Sequence, residues 1–404
     1  MRFALLGDHP DGVAMACALV ESGRHRLAAY TAALDEITLR RLGDEARRVS
    51  DPEEVLADPA VEAAIVAGAP AQRPAQLRRA LQAERHVLCV HPADDGPEVA
   101  YEAAMIQRDT GCALLPLLPE GLHPGVGRLR EFVRRSEKDG EPLPPTGLFR
   151  LLEVERVAAG EVLDGVGADG RKPSFPDWDV LRALGGEVLE VSAFAAGEEP
   201  EAGEPVLLAG RFEAGGLFQV TLVPGQPSPR RRLAVVGSAG RAELLFPLGW
   251  QGPAFLEWRD EAGESREEHW ECWGPWPALV EAFEAALRRP AAPPGPVSWQ
   301  DEVRCLELDD AARRSVVRRR SSLLEYPEAT EEAGFKGTMT LAGCGLLWAI
   351  ILLVILAHFL PPQWWKPLGW GIGVLLVVFL GSQLLRYLLP GRAGGGGAGR
   401  GEME

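Results

Sequence analysis

Two places in the sequence carry residues suited to proton transfer. His91 follows the apolar run HVLCV and precedes Pro92. An imidazole titrates near neutral pH, so His91 could act as an acid or base, although it could equally be a turn residue before the proline. Asp177 and Asp179 form an Asp-x-Asp pair before the predicted helix VLRALG. Paired carboxylates can do acid–base chemistry, but such residues also cap helix N-termini; we favour the cap for Asp177 and leave both roles open for Asp179.

A turn near the N-terminus has the position of a phosphate-binding loop, between a strand and a helix. Gly7 and Gly12 fill the first and third places of the spacing G-x-G-x-x-G, while His9 fills the second. The second glycine of that motif lets the backbone approach a pyrophosphate, so His9 should crowd the approach. Asp8 and Asp11 add negative charge beside the same place. Two interpretations stay open: a nucleotide site, or a fold that keeps its shape and binds a nucleotide weakly or not at all.

The end of the second predicted strand is where an acidic residue usually holds the ribose hydroxyls of a dinucleotide. In this sequence that place falls near Thr31, and the nearest carboxylate is that of Asp35. We therefore treat Thr31 as the candidate ribose contact.

The elements that must position these residues alternate between strands and helices. Residues 51–92 predict helix, strand, helix, strand, because the apolar runs AAIVA and HVLCV flank the amphipathic PAQLRRALQAE. A strand, helix and strand within about thirty residues form a βαβ unit with a right-handed crossover. Residues 1–122 are therefore predicted to form an α/β domain of Rossmann type, with a doubly wound parallel sheet.

The following region, 123–325, has a different pattern. Short alternating runs separated by Gly and Pro turns extend from residue 188 to 256. This alternation predicts an open antiparallel sheet, covered by helices on one face, in a second domain of α+β class. A last helix is predicted at about 298–316.

Composition excludes several classes of function. The net charge of −16 argues against a nucleic-acid partner. The six cysteines are scattered without a close pair, which predicts no metal site and no disulfide framework. The opening MRFALLGD begins a strand at once and is not typical of a signal peptide.

The C-terminal region contains two long apolar runs. Residues 338–360 and 368–389 are each long enough to cross a bilayer, after a linker at 326–337 and before a Gly-rich tail at 391–404. Arginines cluster outside the two runs, and only Lys366 lies between them. The positive-inside rule then predicts a two-span membrane protein with its globular body and both termini in the cytoplasm.

The segment 51–92 also resembles a motif of the glucose-fructose oxidoreductase / inositol dehydrogenase / MocA (Gfo/Idh/MocA) family. Members read roughly D-L-x-E-L-L-A-D-P-x-V-D-A-V-x-V-A-T-P-P-x-x-H, then a helix, then G-K-H-V-L-x-E-K-P. The matching residues here are Asp58-Pro59, Val66-Ala67, Pro70 and His86-Val87-Leu88. Later matches are His123-Pro124 and, in the last helix, Trp299, Asp301, Leu306, Leu308, Ala311 and Ser315. The resemblance covers about residues 1–320.

The sequence departs from the family at its working residues. In the family, the Lys of Glu-Lys-Pro and a downstream His position the substrate and handle its proton. Here Val90-His91-Pro92 stands for Glu-Lys-Pro, Gly68-Ala69-Pro70 for Thr-Pro-Pro, Arg73 for the His after it, and Pro176 for the catalytic His.

The resemblance implies hydride transfer between a sugar or cyclitol carbinol and NAD or NADP. The cofactor-binding positions that it indicates are Gly7, His9, Gly12, Thr31, Gly68, Pro70, Arg73 and Pro92, with His91, Asp177 and Asp179 as catalytic candidates. Because the replacements lie in three parts of one site, we predict weak or absent dinucleotide binding. Two functions remain open: a membrane-anchored oxidoreductase with divergent chemistry, or an inactive descendant that serves as a tethered nucleotide- or sugar-binding or scaffold module. A sugar-like ligand and self-association into a homo-oligomer are also expected.

Overall fold

The computed structural model describes residues 1–43, 46–133, 143–161, 163, 174–197, 200–201, 203–247, 249–288, 297–319 and 322–323. The chain divides into two compact units, Met1–Glu325 and Tyr326–Glu404. Both sheets described below belong to the first unit. The finer division of that unit at residue 122 stays a prediction.

The first sheet has six described strands, all parallel, in the order β3-β2-β1-β4-β5-β6. This is the strand order of a Rossmann-type fold, so the predicted doubly wound sheet is confirmed. Its strands are β1 Arg2–Gly7, β2 Arg26–Tyr30, β3 Arg47–Arg48, β4 Ala63–Ala67, β5 His86–Val90 and β6 Leu114–Leu117. The helices among them are α1 Pro10–Glu21, α2 Glu36–Leu42, α3 Pro52–Ala57, α4 Arg73–Gln82 and α5 Glu98–Thr110.

The apolar strands fold this way because both faces of the sheet are covered. Side chains alternate across a strand, and in β1 Phe3 and Leu5 join one buried core while Ala4 and Leu6 join the other. The order of the strands reverses between β1 and β4, which leaves a crevice at their carboxyl ends. Gly7, Gly68 and His91 lie at or just beyond the ends of β1, β4 and β5 respectively.

The second sheet has nine described strands in the order β14-β13-β12-β11-β7-β10-β9-β8-β15. The strands are β7 Phe149–Val157, β8 Val188–Ala195, β9 Val206–Phe212, β10 Leu217–Val223, β11 Arg230–Gly237, β12 Gly240–Phe246, β13 Ala254–Asp260, β14 Ser265–Trp270 and β15 Ser322–Leu323. The prediction of a purely antiparallel sheet is wrong for one pair, because β7 and β10 run parallel. After β7 the chain crosses over to β8, and the meander β8-β9-β10 returns to lay β10 beside β7 in the same direction.

The remaining helices connect the two sheets. They are α6 Pro124–Arg130, α7 Trp178–Gly185, α8 Trp276–Arg288 and α9 Trp299–Arg318. The last of these, predicted at 298–316, packs on β8 and also reaches α5 and β6 of the first sheet. Its Trp299 Nε1 donates to the Ala100 carbonyl oxygen at 2.8 Å. Thus α9 packs on β8 of the second sheet and on β6 of the first.

The predicted membrane localisation is corrected by the helices that the structure describes, since none of them is long and apolar enough to cross a bilayer. The segments on which that prediction rested, 338–360 and 368–389, lie outside the described residues, as do the linker 326–337 and the tail 391–404.

Candidate functional site

The turn between β1 and α1 is built by two glycines that allow close packing. Gly7 has a φ of +119°, and a Cβ there would lie 2.2 Å from the Ala67 carbonyl oxygen. A Cβ on Gly12 would lie 2.3 Å from the Cβ of Ala67. Any larger residue at either place would push α1 away from β4. The two predicted glycines therefore give the loop and helix the frame that a dinucleotide site requires.

His9 is the N-cap residue of α1. Its Nδ1 accepts a hydrogen bond from the backbone N–H of Asp11 at 3.3 Å, and its own backbone N–H donates to the Ala67 carbonyl at 3.0 Å. The unpaired N–H groups at a helix N-terminus are what bind a phosphate. Here one of them already has a partner, and the Asp11 carboxylate lies 3.8 Å from the same imidazole nitrogen. The residues present therefore fit a dinucleotide in backbone shape, but the imidazole takes a donor that the pyrophosphate would use.

Thr31 was the candidate contact for the ribose of a dinucleotide. Thr31 follows β2 and its N–H donates to the Leu5 carbonyl at 3.0 Å. Asp35 instead caps α2, because its two carboxylate oxygens accept from the backbone N–H and hydroxyl of Thr38, each at 2.8 Å. The hydrogen bonds from Thr38 lower the pKa of Asp35. The Asp35 carboxylate therefore caps α2.

The loop after β4 carries three further predicted cofactor residues. Gly68 follows β4, and Pro70 opens a short 3₁₀ turn, Pro70–Gln72. Arg73 is only 2% exposed, and its guanidinium donates to the carbonyls of Gly68 and Pro92, each at 2.9 Å. Arg73 therefore lies beneath the loop and does not line an open crevice, whereas Pro92 lies just beyond β5.

His91, at the end of β5, is paired with a buried carboxylate. Its Nδ1 lies 2.7 Å from Oε2 of Glu302 on α9, and the other oxygen, Oε1, accepts the Ala93 N–H at 2.8 Å. The His91 side chain is 23% exposed and that of Glu302 is 1% exposed. Burial lowers the pKa of His91, but the Glu302 carboxylate outweighs this and raises the pKa to about 9. At neutral pH His91 is thus an imidazolium, a cation at the place where the resemblance has a lysine.

The Asp-x-Asp pair at the start of α7 divides between two roles. Asp177 has a left-handed backbone with φ 72° and makes no side-chain cap hydrogen bond, so the favoured cap interpretation is wrong. Its Oδ1 lies 2.7 Å from Nη2 of Arg231 on β11. Asp179 accepts the Gly121 N–H at 3.1 Å and stays partly exposed.

Asp179 and His91 lie within electrostatic reach of each other. Burial and the Asp177 carboxylate raise the pKa of Asp179, and the positive charge of His91 opposes this rise. The start of α7 is held in place by the buried Asp309 of α9, whose Oδ1 accepts from the Phe175 N–H at 2.8 Å. The His91 cation just after β5 and the Asp179 carboxyl of α7 are distant in sequence, yet each acts electrostatically on the other.

A further carboxyl, that of Glu120, follows β6. Glu120 forms a two-point ion pair with the buried Arg231, with Nη1–Oε2 and Nη2–Oε1 distances of 3.0 and 3.1 Å. Burial raises the pKa of Glu120, while Arg231 opposes the rise. One guanidinium therefore pairs with both Glu120 and Asp177.

Sequence reasoning missed Glu120, Arg231 and Glu302. Glu120 could have been found, since it follows the apolar strand CALLPLLP at the carboxyl edge where the other candidates lie. Glu302 lies on the apolar stripe of α9, three residues after Trp299 and four before Leu306, so a charge on a buried helical face was its signal. No local pattern marks Arg231, one of three successive arginines on β11.

No protein-family model matches this chain, and no curated protein does either. Solved structures do match. UDP-N-acetylglucosamine 3-dehydrogenase GnnA from Acidithiobacillus ferrooxidans is 19% identical with a TM-score of 0.60, over 79% of this chain and 98% of that one. Levoglucosan dehydrogenase, in complex with NADH and L-sorbose, is 14% identical with a TM-score of 0.63, over 81% and 99%.

A third match is GenD2 from gentamicin A biosynthesis, in complex with NAD, at 19% identity and a TM-score of 0.62, over 81% of this chain and 97% of that one. At such identities the likeness establishes the fold. GnnA and levoglucosan dehydrogenase are dehydrogenases of the Gfo/Idh/MocA type, and about four-fifths of this chain shares their fold.

Proposed function

We propose that this protein is an NAD(P)-dependent dehydrogenase that oxidises a hydroxyl group of a sugar or cyclitol. One observation carries the proposal: the His91–Glu302 pair lies at the carboxyl edge of a Rossmann-type sheet, within electrostatic reach of the Asp179 carboxyl. Ligands of such sheets bind at this edge, where the strand order reverses. The fold shared with sugar dehydrogenases supports the substrate class.

Side chains of this protein can stabilise the substrate oxygen and accept the proton of the substrate hydroxyl. Glu302 holds the proton on His91 Nδ1, which leaves Nε2–H to donate to the substrate oxygen as negative charge develops there. Asp179, whose pKa is raised by burial, accepts the proton of the substrate hydroxyl. The absent histidine, Pro176 in this chain, is thereby replaced by a carboxyl three residues later. A bound nicotinamide would supply the hydride acceptor, with Gly7, Gly12, Thr31, Gly68, Pro70 and Pro92 in place to hold the dinucleotide.

Replacing Asp179 by Asn is expected to reduce turnover about 10²-fold or more, because the amide cannot accept the proton. The amide oxygen can still accept the Gly121 N–H, so the start of α7 should stay in place. The measurement is production of reduced nicotinamide by the full-length chain on a panel of sugars and cyclitols. Asp310→Asn on the outer part of α9 is the matched control and should leave the rate unchanged. Equal rates for Asp179→Asn and the unaltered chain would contradict the assigned role.

His9→Gly is expected to tighten NADH or NADPH binding about tenfold, a gain of about 1.4 kcal/mol. It removes the imidazole from the approach to the pyrophosphate and frees the Asp11 N–H. Loss of the cap to Gly costs a few tenths of a kcal/mol. His9→Asn, which keeps a cap and most of the bulk, is the control and should bind close to the original affinity. Titration of nicotinamide fluorescence gives the affinities; micromolar binding by the unaltered chain would show that His9 does not weaken the site.

The second candidate function is a binding module without turnover. It is favoured by the combination of His9 on the helix N-terminus and Pro176 at the place of the catalytic histidine. A chain of this kind would bind a sugar-like ligand in calorimetry yet reduce no nicotinamide with any member of the panel. The dehydrogenase would do both.

A further inference from the structure

Arg73 is the first residue of α4 and lies under the carboxyl edge of the first sheet. Its Nε donates to the Gly68 carbonyl at 2.9 Å, and its Nη1 donates to the Pro92 carbonyl at 2.9 Å. The His91 carbonyl lies 3.5 Å from the same Nη1. One buried guanidinium therefore joins the chain that leaves β4 to the chain that leaves β5.

These contacts satisfy backbone groups that the sheet itself leaves without partners. Carbonyls beyond the end of a strand have no ladder partner, and a buried carbonyl without a hydrogen bond costs free energy comparable to a lost hydrogen bond. A guanidinium has several donors in a rigid planar fork, which suits carbonyls that come from different directions. An ammonium or an imidazole in this position would reach fewer of them.

We propose that Arg73 is a positioning residue for His91: it fixes the backbone at the end of β5 so that the imidazole meets the Glu302 carboxylate. The proposal replaces the cofactor-binding role that the resemblance implies for position 73. It deepens the proposed function, in which His91 holds a proton, but its main test does not depend on turnover.

The direction in which the His91 pKa changes when Arg73 is replaced distinguishes a positioning role from a direct effect of the Arg73 charge. The groups that act on His91 are Glu302 and Asp309 on α9 and Asp179 on α7, all of which raise its pKa. Removing the positive charge of Arg73 would by itself raise the pKa of His91 further. A looser backbone at the end of β5 would weaken the 2.7 Å contact between His91 and Glu302. This would lower the pKa of His91.

The test is the pKa of His91 in the full-length chain, measured by NMR of ¹³C-labelled histidine rings and assigned with His91→Gln. In Arg73→Met we expect the pKa to fall by at least about one unit toward the ordinary value near 6.5. Arg73→Lys keeps the charge but has a single ammonium, and should lower the pKa by about half a unit or more. The lysine variant decides the matter if the methionine variant does not fold.

Arg85 offers a matched control at the opposite end of β5. Its Nη2 donates to the Leu56 carbonyl at 3.0 Å and approaches the Asp58 carbonyl at 3.4 Å, so it also joins backbone segments. Arg85→Met should lower the thermal unfolding midpoint while the His91 pKa stays unchanged. An unchanged or raised His91 pKa in a folded Arg73 variant would overturn the proposal. A fall in the Arg73 variants together with no turnover in any form of the chain would support the positioning role and reject the proposed function.

Discussion

Replacing Glu302 by Gln is expected to lower the pKa of His91 from about 9 to about 6.5 or below, and to reduce turnover at neutral pH about 10²-fold or more. The glutamine can still accept the Ala93 N–H through its oxygen. Its amide nitrogen would donate to Nδ1, which favours the neutral imidazole. His91 would then lose the proton that it holds toward the substrate oxygen.

The His91–Glu302 pair should also make stability and turnover depend on pH. The folded-state pKa of His91 is raised above its unfolded value near 6.5, so the pair's stabilisation is fully present below that pH. It is lost as the pH rises through about 9. The unaltered chain should therefore lose both stability and turnover on the alkaline side, near pH 9, and Glu302→Gln should lose this limb of the profile.

A glutamate on the exposed side of α8 is the control for Glu302. Glu281→Gln removes one carboxylate at an exposed position and should change neither the His91 pKa nor the rate. If the His91 pKa stays near 9 in Glu302→Gln, the imidazolium does not depend on the buried carboxylate and the assignment is wrong.

Removing the charge of Arg231 is expected to produce the largest loss of stability. Arg231→Gln leaves Glu120 and Asp177 at a buried junction without their shared cation, although Arg156 Nη1 stays 3.8 Å from Asp177 Oδ1. Breaking a buried ion pair costs about 3–5 kcal/mol. The adjacent Arg230 pairs with Glu155 at 2.6 Å, but its side chain is 49% exposed, so Arg230→Gln should cost no more than about 1 kcal/mol. Denaturant unfolding of the two variants compares neighbouring arginines that differ mainly in burial.

The loss in Arg231→Gln should depend on pH in a defined direction. Burial already raises the pKa of Glu120, and without Arg231 the pKa should rise further. A carboxyl with a raised folded-state pKa binds more protons in the folded than in the unfolded state, so stability increases as the pH falls. The deficit at pH 5 should be smaller than at pH 8. Equal deficits at both values would show that lost packing, and not an uncompensated charge, causes the instability.

Much of the first sheet could be predicted from the sequence because its signals are local. The apolar runs at β4 and β5 are bounded by Gly and Pro, and the helix between them is amphipathic. The glycines at 7 and 12 could also be predicted from their spacing. The structure shows why glycine is needed there, since a Cβ at either position would collide with Ala67. Short-range patterns of this kind specify the elements and their order.

The site could be predicted only in part because its partners come from distant segments. The sequence singles out His91 and Asp179 as candidates, but the group that sets the charge of His91 is 211 positions away, on α9. The parallel pairing of β7 with β10 depends on the path between them, which alternation does not show. Asp177 has the residue type of a cap, yet the attraction of Arg231 across the junction turns it away from its helix.

Transfer of deuterium tests the central claim most directly. The full-length chain would be incubated with NAD or NADP and with sugars or cyclitols deuterated at their carbinol carbons, and the nicotinamide would be analysed by mass spectrometry. A dehydrogenase of the proposed kind should place deuterium on the reduced nicotinamide with at least one member of the panel, and Asp179→Asn should abolish this transfer. An unlabelled nicotinamide throughout the panel, while calorimetry shows that a sugar or cyclitol binds, would contradict the account and leave a binding module in its place.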